Sequence, residues 1–164
     1  MACNNVHLLC LVALHLTLVS KVGTFTIEEV QGAVRGTVLD LRGGAFRYRL
    51  RGSIPPALGS LSNLTYLDLS NNVLDGMVPP ELGQLSKLRY LNLSSNYFSG
   101  VIPRELGGLS SLAYLDLSNN KRTSIIGLFN GFSGGIPGDL FKLTGLVQLY
   151  LSNNDLTGGI PSEF

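Results

Sequence analysis

The chain has 164 residues, enough for one ordinary domain or one short repeat array, and carries a formal net charge of +1. Charged residues make up only 14% of it, and so neutral a balance gives no reason to expect nucleic acid or an acidic membrane as a partner. An apolar content of 45% argues against a disordered chain, because there is ample apolar surface to bury.

Residues 1–20 differ in composition from the rest of the chain. The stretch 6–19 is apolar except at His7, His15 and Thr17, and it has the length of the apolar core of a secretory signal peptide rather than that of a membrane span. No Lys or Arg precedes it and no clean small-x-small cleavage pattern follows it, so an uncleaved anchor stays open as the alternative. No other stretch is long enough to cross a bilayer, and the sequence therefore predicts a secreted chain with no membrane span after signal cleavage.

Both cysteines, Cys3 and Cys10, and both histidines lie inside that leader. Its removal leaves no thiol and no imidazole, which excludes disulfides, thiol nucleophiles, Cys/His metal sites and histidine general bases. The Asp and Glu residues are scattered and show no pairing. The sequence therefore predicts a protein that is not an enzyme and that carries no cofactor and no metal.

A divergent region, 21–38, precedes a repeat that fills the rest of the chain, 39–164. The segment 61–72 (LSNLTYLDLSNN) returns at 85–96, 109–120 and 143–154. A second marker, Gly-x-Ile/Val-Pro, ends at positions 55, 79, 103, 137 and 161, which are 24, 24, 34 and 24 residues apart. The period indicates about four to five copies of one unit, and the odd interval places a ten-residue insertion at 121–130.

The first half of each unit has the pattern of a β-strand. Leu67 and Leu69 alternate with polar residues, so one face of the strand is apolar. Successive copies must turn back to the same side, which predicts parallel strands about 4.8 Å apart around one continuous leucine core. The chain leaves each strand at an asparagine whose amide we expect to bond to backbone groups of the turn. These residues are Asn72, Asn96, Asn120 and Asn154.

The second half of each unit is the return path to the next strand. Gly76 permits a tight turn, and Pro79 fixes φ and removes a hydrogen-bond donor. The following Pro-x-x-Leu-Gly predicts one turn of 3₁₀ or α helix on the outer face.

The unit LxxLxxLxLxxNxLxGxIPxxLGxL resembles the plant-specific class of leucine-rich repeat, over 37–164. The resemblance implies an α/β repeat solenoid, right-handed and curved, with a parallel β-sheet on the concave face and short 3₁₀ or irregular segments on the convex face. It also implies an extra short strand at 52–55 and at its four repeats.

Three features depart from the family pattern. Members usually open with a paired-cysteine cap containing Trp, whereas 21–38 has neither residue type. The first unit is four residues longer than the others, and the last unit stops in its middle, which predicts a truncated array. The insertion 121–130 is either an island loop that holds a ligand or a tolerated surface insertion or gene-model artefact.

The concave face is the usual contact surface in this family, and here Tyr66, Tyr90 and Tyr114 share one register and should form an aromatic row. Exposed tyrosine suits recognition, although tyrosine is also simply a good strand residue. The predicted partner-binding positions are Tyr66, Asp68 and Ser70; Tyr90, Asn92 and Ser94; Tyr114, Asp116 and Ser118; and Gln148, Tyr150 and Ser152.

Two N-x-Ser/Thr sequons, at Asn63 and Asn92, are candidate glycosylation sites in a secreted chain. A glycan at Asn92 would block part of the predicted contact surface. Five arginines, at positions 35, 42, 47, 49 and 51, crowd the first unit. They form either a site for an anionic partner or a solvated cap.

The resemblance implies a non-catalytic extracellular recognition module, as in the ectodomains of plant receptor-like kinases and receptor-like proteins, acting in signalling or defence. Its partner would be a protein or peptide, or another leucine-rich-repeat receptor, in the apoplast or at the plasma membrane as part of a longer receptor. The alternative is a secreted inhibitor of a cell-wall enzyme, similar to the polygalacturonase-inhibiting proteins.

Overall fold

The computed structural model describes residues 34–43, 49–121 and 131–160. The predicted signal peptide and positions 122–130 of the insertion lie outside these residues. Within the part of the chain that is described, no helix is long and apolar enough to span a membrane.

Five short strands, one from each unit, form the main sheet. They are β1 (Val38–Asp40), β3 (Tyr66–Asp68), β5 (Tyr90–Asn92), β7 (Tyr114–Asp116) and β9 (Gln148–Tyr150), in that order and all parallel. Tyr66, Tyr90 and Tyr114 are directly opposite one another in register. The repeat period thus places equivalent residues of successive units side by side.

A second parallel sheet follows the main one in each unit. It consists of β2 (Arg51–Gly52), β4 (Val73–Gly76), β6 (Tyr97–Val101), β8 (Gly131–Gly134) and β10 (Asp155–Leu156). The expectation of an extra strand at 52–55 and its repeats was wrong in position, because the strands precede most of that motif. Three of these strands end at glycines with positive φ, a conformation that turns the chain out of the ladder: Gly52 (83°), Gly76 (75°) and Gly134 (72°). The Ile or Val that follows is then free to enter the core, as Ile54 and Val78 do.

In the described part of the chain, four 3₁₀ helices complete the return paths, which confirms the interpretation of the Pro-x-x-Leu-Gly pattern. They run Pro56–Ser60, Pro80–Gln84, Arg104–Gly108 and Gly138–Lys142. Each follows a proline in extended conformation and buries one leucine: Leu58, Leu82, Leu106 and Leu140. The α/β repeat solenoid predicted from the sequence is confirmed.

One continuous core runs through the stack. Leu67 and Leu69 of the second unit are fully buried, and so are their equivalents in the third and fourth units. Phe98 and Phe132 fill the space beside the second sheet with ring centroids 6.3 Å apart. Burial of a large apolar side chain contributes about 1.5–3 kcal/mol, so the leucine rows supply most of the driving force for stacking.

The predicted asparagines form a buried ladder between units. Asn96 Nδ2 donates to the carbonyl oxygen of Leu69 in the preceding unit at 2.9 Å, and to two carbonyls of its own unit at 3.2–3.3 Å. Its Oδ1 accepts the N–H of Leu74 at 3.1 Å. One side chain therefore satisfies backbone groups of two units. The same arrangement occurs at Asn72, Asn120 and Asn154.

The residue before each ladder asparagine has left-handed backbone geometry. The φ angles are 57° at Asn71, 56° at Ser95, 57° at Asn119 and 54° at Asn153. Asparagine tolerates this conformation because its short polar side chain bonds locally, whereas serine gains less from it. The third unit is therefore the strained one at this turn.

Both departures from the 24-residue length, in the first unit and at 121–130, fall in the connection between a main strand and the second sheet. Leu50 and Phe132 N–H groups bond to Asn72 Oδ1 (2.8 Å) and Asn154 Oδ1 (3.1 Å), as Leu74 does to Asn96. The chain thus regains the common register immediately after the long first unit and after 121–130. At the other end of the first unit, Val34 packs against the core, within the region 21–38 that was expected to be divergent.

Replacing Asn96 with Ala should cost at least about 3 kcal/mol of unfolding free energy, because several buried backbone groups lose their partner at once. Asn154→Ala is the matched control, since Asn154 is only partly buried and water can replace its bonds. We expect a loss of about 1 kcal/mol there. Urea unfolding followed by circular dichroism measures both, and equal losses would contradict the ladder's role.

Ser95→Asn should raise the unfolding free energy by about 0.5–1 kcal/mol, because asparagine accepts left-handed geometry with less strain. Ser111→Asn, at an exposed position with ordinary φ, serves as the control and should change little. Thermal unfolding of both variants checks this, and a stabilisation common to both would refute the backbone explanation.

Candidate functional site

The outward face of the main sheet carries a stack of tyrosine rings. The centroids of Tyr66 and Tyr90 lie 4.3 Å apart with 6° between the ring planes, and those of Tyr90 and Tyr114 lie 4.4 Å apart with 10° between them. The three rings face one another because they sit on adjacent strands at one register. The ring faces turned toward one another are covered. The edges, the hydroxyls and the face of Tyr114 toward Tyr150 remain for a ligand.

Polar side chains two residues further along each strand hold the phenol hydroxyls. Asp68 Oδ2 accepts from the hydroxyls of Tyr66 at 3.3 Å and Tyr90 at 3.5 Å, and Asn92 Nδ2 donates to the Tyr90 hydroxyl at 3.2 Å. Asp116 Oδ2 accepts from Tyr114 at 3.4 Å. The hydroxyl row thus has a fixed orientation.

Burial raises the pKa of the Tyr66 and Tyr114 phenols well above the ordinary value near 10. The neighbouring carboxylates of Asp68 and Asp116 add to this, because a phenolate beside a carboxylate would be repelled. Both phenols are therefore neutral donors at physiological pH.

The strand pattern predicts exposed side chains along the whole of this face, and this is wrong for five of them. Each tyrosine ring is directed toward the polar side chain two residues further along its strand. Because adjacent strands lie close together, little space remains between these polar side chains. Asp68 is only 1% exposed, and Asp116 is half-buried. The five buried side chains are Asp68, Ser70, Asn92, Ser94 and Ser118.

The last strand of the main sheet, β9, differs from the others in this sheet. Gln148 takes the register of the tyrosine row, and Tyr150 lies opposite Asp116. The Tyr150 ring nevertheless reaches Tyr114, with centroids 5.6 Å apart and planes tilted by 45°. Gln148, Tyr150 and Ser152 are exposed, so this end of the face is the accessible one.

The two sequons have different environments. Asn63 is exposed, and its Oδ1 accepts from Lys87 Nζ at 2.8 Å. Asn92 lies within β5, is 9% exposed, and uses its amide nitrogen to bond Tyr90. The prediction of Asn92 as a glycosylation site conflicts with this packing, because a glycan on that nitrogen would have to displace the tyrosine. Asn63 stays a candidate.

The arginines of the first unit do not form one cluster. Arg35 and Arg51 are exposed, Arg49 is half-buried, and position 47 lies outside the described residues. Arg42 turns to the tyrosine face instead, where its Nη2 lies 2.8 Å from Asp40 Oδ2 and its Nε 3.6 Å from Asp68 Oδ2. The hydrogen bond and charge of Asp40 raise the pKa of Arg42.

Sequence reasoning missed two features of this face. It did not place Arg42 over the carboxylates, although position 42 aligns with Ser70 of the next unit. Nor did it join Tyr150 to the row, because its register is two residues off. Across the residues that the structure covers, no group of three or more His, Cys, Asp or Glu could hold a metal ion.

Comparison with known proteins gives the family. Models described as leucine rich repeat match 52–98 and 77–121, and further matches of that description fall at 111–143 and 145–164. No curated protein matches the chain.

Solved structures of plant receptors are similar to the chain. The Arabidopsis receptor kinase HAESA, solved with the peptide hormone IDA and the co-receptor SERK1, is 32% identical with a TM-score of 0.72, over 86% of this chain and 22% of that one. A TDR receptor is 34% identical with a TM-score of 0.71, over 86% and 22%. The BIR2 ectodomain from Arabidopsis thaliana is 38% identical with a TM-score of 0.65, over 77% and 59%.

The chain belongs to the leucine-rich-repeat family, in its plant class. Its fold, with two parallel sheets and 3₁₀ return paths, is similar to that of plant receptor ectodomains. It spans between about a fifth and three fifths of the length of the neighbours given above.

Stability should fall above about pH 10, because the unfolded chain ionises its tyrosines there while Tyr66 and Tyr114 stay protonated in the folded chain. The contribution of these two phenols is complete below that pH and is lost as the pH rises further. Thermal unfolding at about pH 8 and about pH 11 measures it. The double variant Tyr66→Phe/Tyr114→Phe should lose less stability between the two, and an identical loss would contradict the shift.

Proposed function

We propose that this chain is a non-catalytic extracellular recognition module of the plant receptor type, which binds a peptide or protein ligand on the outward face of its main sheet. A role in signalling or defence follows from that type. The apolar leader at 1–20 supports secretion to the apoplast, or a place at the plasma membrane if the chain is part of a longer receptor.

The observation that carries the proposal is the tyrosine row with its fixed hydroxyls. Three phenols repeat at 4.3–4.4 Å, each oriented by a polar side chain of the row beside it. Such groups are ordered before a ligand arrives, so binding loses little side-chain entropy. The row crosses the strands, and a ligand lying along it would meet one unit after another.

The similarity to HAESA supports a peptide as the ligand class. That receptor was solved with a peptide hormone and a co-receptor, and it shares 32% of its residues with this chain over the matched region. The partners named there belong to HAESA. The ligand of this chain is to be identified by selection from a peptide library.

A displayed library of 12-residue peptides, panned against the secreted chain, tests the proposal. Tyr90→Ala should weaken the selected peptides about tenfold, because Tyr90 sits in the centre of the row. It also removes stacking on both sides, worth about 1–3 kcal/mol of stability, so affinity is measured well below the unfolding temperature.

Met77→Ala is the matched control, because Met77 is 62% exposed and lies just after β4 of the second sheet. Its affinity should equal that of the unaltered chain. Failure to select any peptide would rule out a peptide ligand. Selected peptides that are insensitive to Tyr90→Ala would refute the tyrosine row as the contact surface.

A further inference from the structure

The polar row consists of the side chains two residues after the tyrosine register on each main strand. Among the residues that the structure describes, Asp116 is the one carboxylate of this row that is half-buried and has no cation beside it. Its Oδ1 accepts the N–H of Ser118 at 2.9 Å and the hydroxyl of Ser118 at 2.6 Å. Its Oδ2 has a single long bond, from the Tyr114 hydroxyl at 3.4 Å. A carboxylate oxygen accepts more than one hydrogen bond, so Oδ2 keeps acceptor capacity.

The same row already holds a guanidinium at its other end. Arg42 bonds Asp40 through Nε at 3.0 Å and Nη2 at 2.8 Å, and its Nε lies 3.6 Å from Asp68. From strand to strand across the sheet, the row is Asp40, Asp68, Asn92, Asp116 and Tyr150. Arg42 lies beside the first two charges, and the middle position is neutral. The third charge, Asp116 at the fourth position of the row, has no cation beside it among the described residues.

Among the described residues of the neighbouring units, no cation lies at that position. The positions equivalent to Arg42 on the strand of Asp116 and on its two neighbours are Ser94, Ser118 and Ser152, which carry no charge. Lys121 bonds Asp155 at 2.8 Å, and Lys142 bonds Asp139 at 2.6 Å. Before Asp116 in the sequence, Arg104 Nε lies 3.6 Å from Glu105 Oε1. Arg104 and the two lysines thus have other acidic partners.

Two aromatic rings stand beside the carboxylate. Tyr90 covers one face of Tyr114 at 4.4 Å, whereas on the other side Tyr150 is tilted by 45° at 5.6 Å. The Tyr114–Tyr150 pair is therefore open compared with the parallel rings of the stack. Tyr150 is 45% exposed, so the opening is accessible.

We propose that Asp116, Tyr114 and Tyr150 bind the guanidinium of an arginine in a ligand peptide. A planar guanidinium donates to a carboxylate and stacks on aromatic rings, so it satisfies both features of the site. The inference rests on the proposed function of this face, and it adds the charge of the residue that the face selects.

Arginine amide is the probe, titrated into the isotope-labelled full chain and followed by the NMR resonances of the Tyr114 and Tyr150 rings. These resonances should shift saturably, and citrulline amide, which is isosteric and uncharged, should bind at least tenfold more weakly. Lysine amide separates a guanidinium site from a general cation site. Absence of a shift with arginine amide, or equal binding of the citrulline or lysine compound, overturns the proposal.

Asp116→Asn should reduce the affinity for arginine amide at least fivefold while the asparagine oxygen still accepts from Ser118. Asp75→Asn is the matched control, because Asp75 is an exposed carboxylate on the second sheet, and its affinity should not change. Tyr150→Leu provides a second variant that leaves the bonds of Asp116 in place, and it should also weaken binding. Equal affinities for the unaltered chain and both site variants would refute the assignment.

The two proposals fail separately. If arginine amide binds at Asp116 and no library peptide is selected, peptide recognition is wrong and the cation site stands. If peptides are selected with no preference for arginine and the amide causes no shift, the cation site is wrong and the function stands.

Discussion

The structure depends on one interaction, the bond network of a buried amide at the end of each main strand. A turn inside a stack leaves backbone N–H and C=O groups without water, and each would be costly if unpaired. Asn96 serves groups of its own unit and of the preceding one. A short uncharged amide has two N–H donors and a carbonyl acceptor, whereas a hydroxyl has a single donor, which is why asparagine holds this position in four units.

This network also fixes the face that we propose for recognition. Because the turn after each strand is held to the preceding unit, the strands stay in one register, and equivalent side chains become neighbours across the sheet. The phenols of Tyr66, Tyr90 and Tyr114 stack for that reason. Substitutions can alter the side chains of such a contact surface one at a time, since each unit contributes one residue to each row.

The periodic part of the molecule could be predicted from the sequence, because periodicity is a statement about equivalent positions. The main strands, the 3₁₀ turns and the tyrosine register all follow from residues such as Leu67, Pro79 and Tyr90. Exposure could not be predicted, because alternation tells which face a residue takes and not what covers it. Asp68 lies on the outward face and is buried by phenols and by an arginine of another unit. Irregular residues such as Arg42 and Tyr150 break the pattern and therefore carried no periodic signal.

The ladder also determines where such a chain can grow. Both departures from the 24-residue length fall between a main strand and the second sheet, just before an N–H that the next unit's asparagine captures, at Leu50 and at Phe132. An insertion there is followed at once by a point that restores the register, so its length does not propagate into the following units. Evolution can lengthen this connection, and engineering can graft a new loop into it, while the stack on either side keeps its spacing.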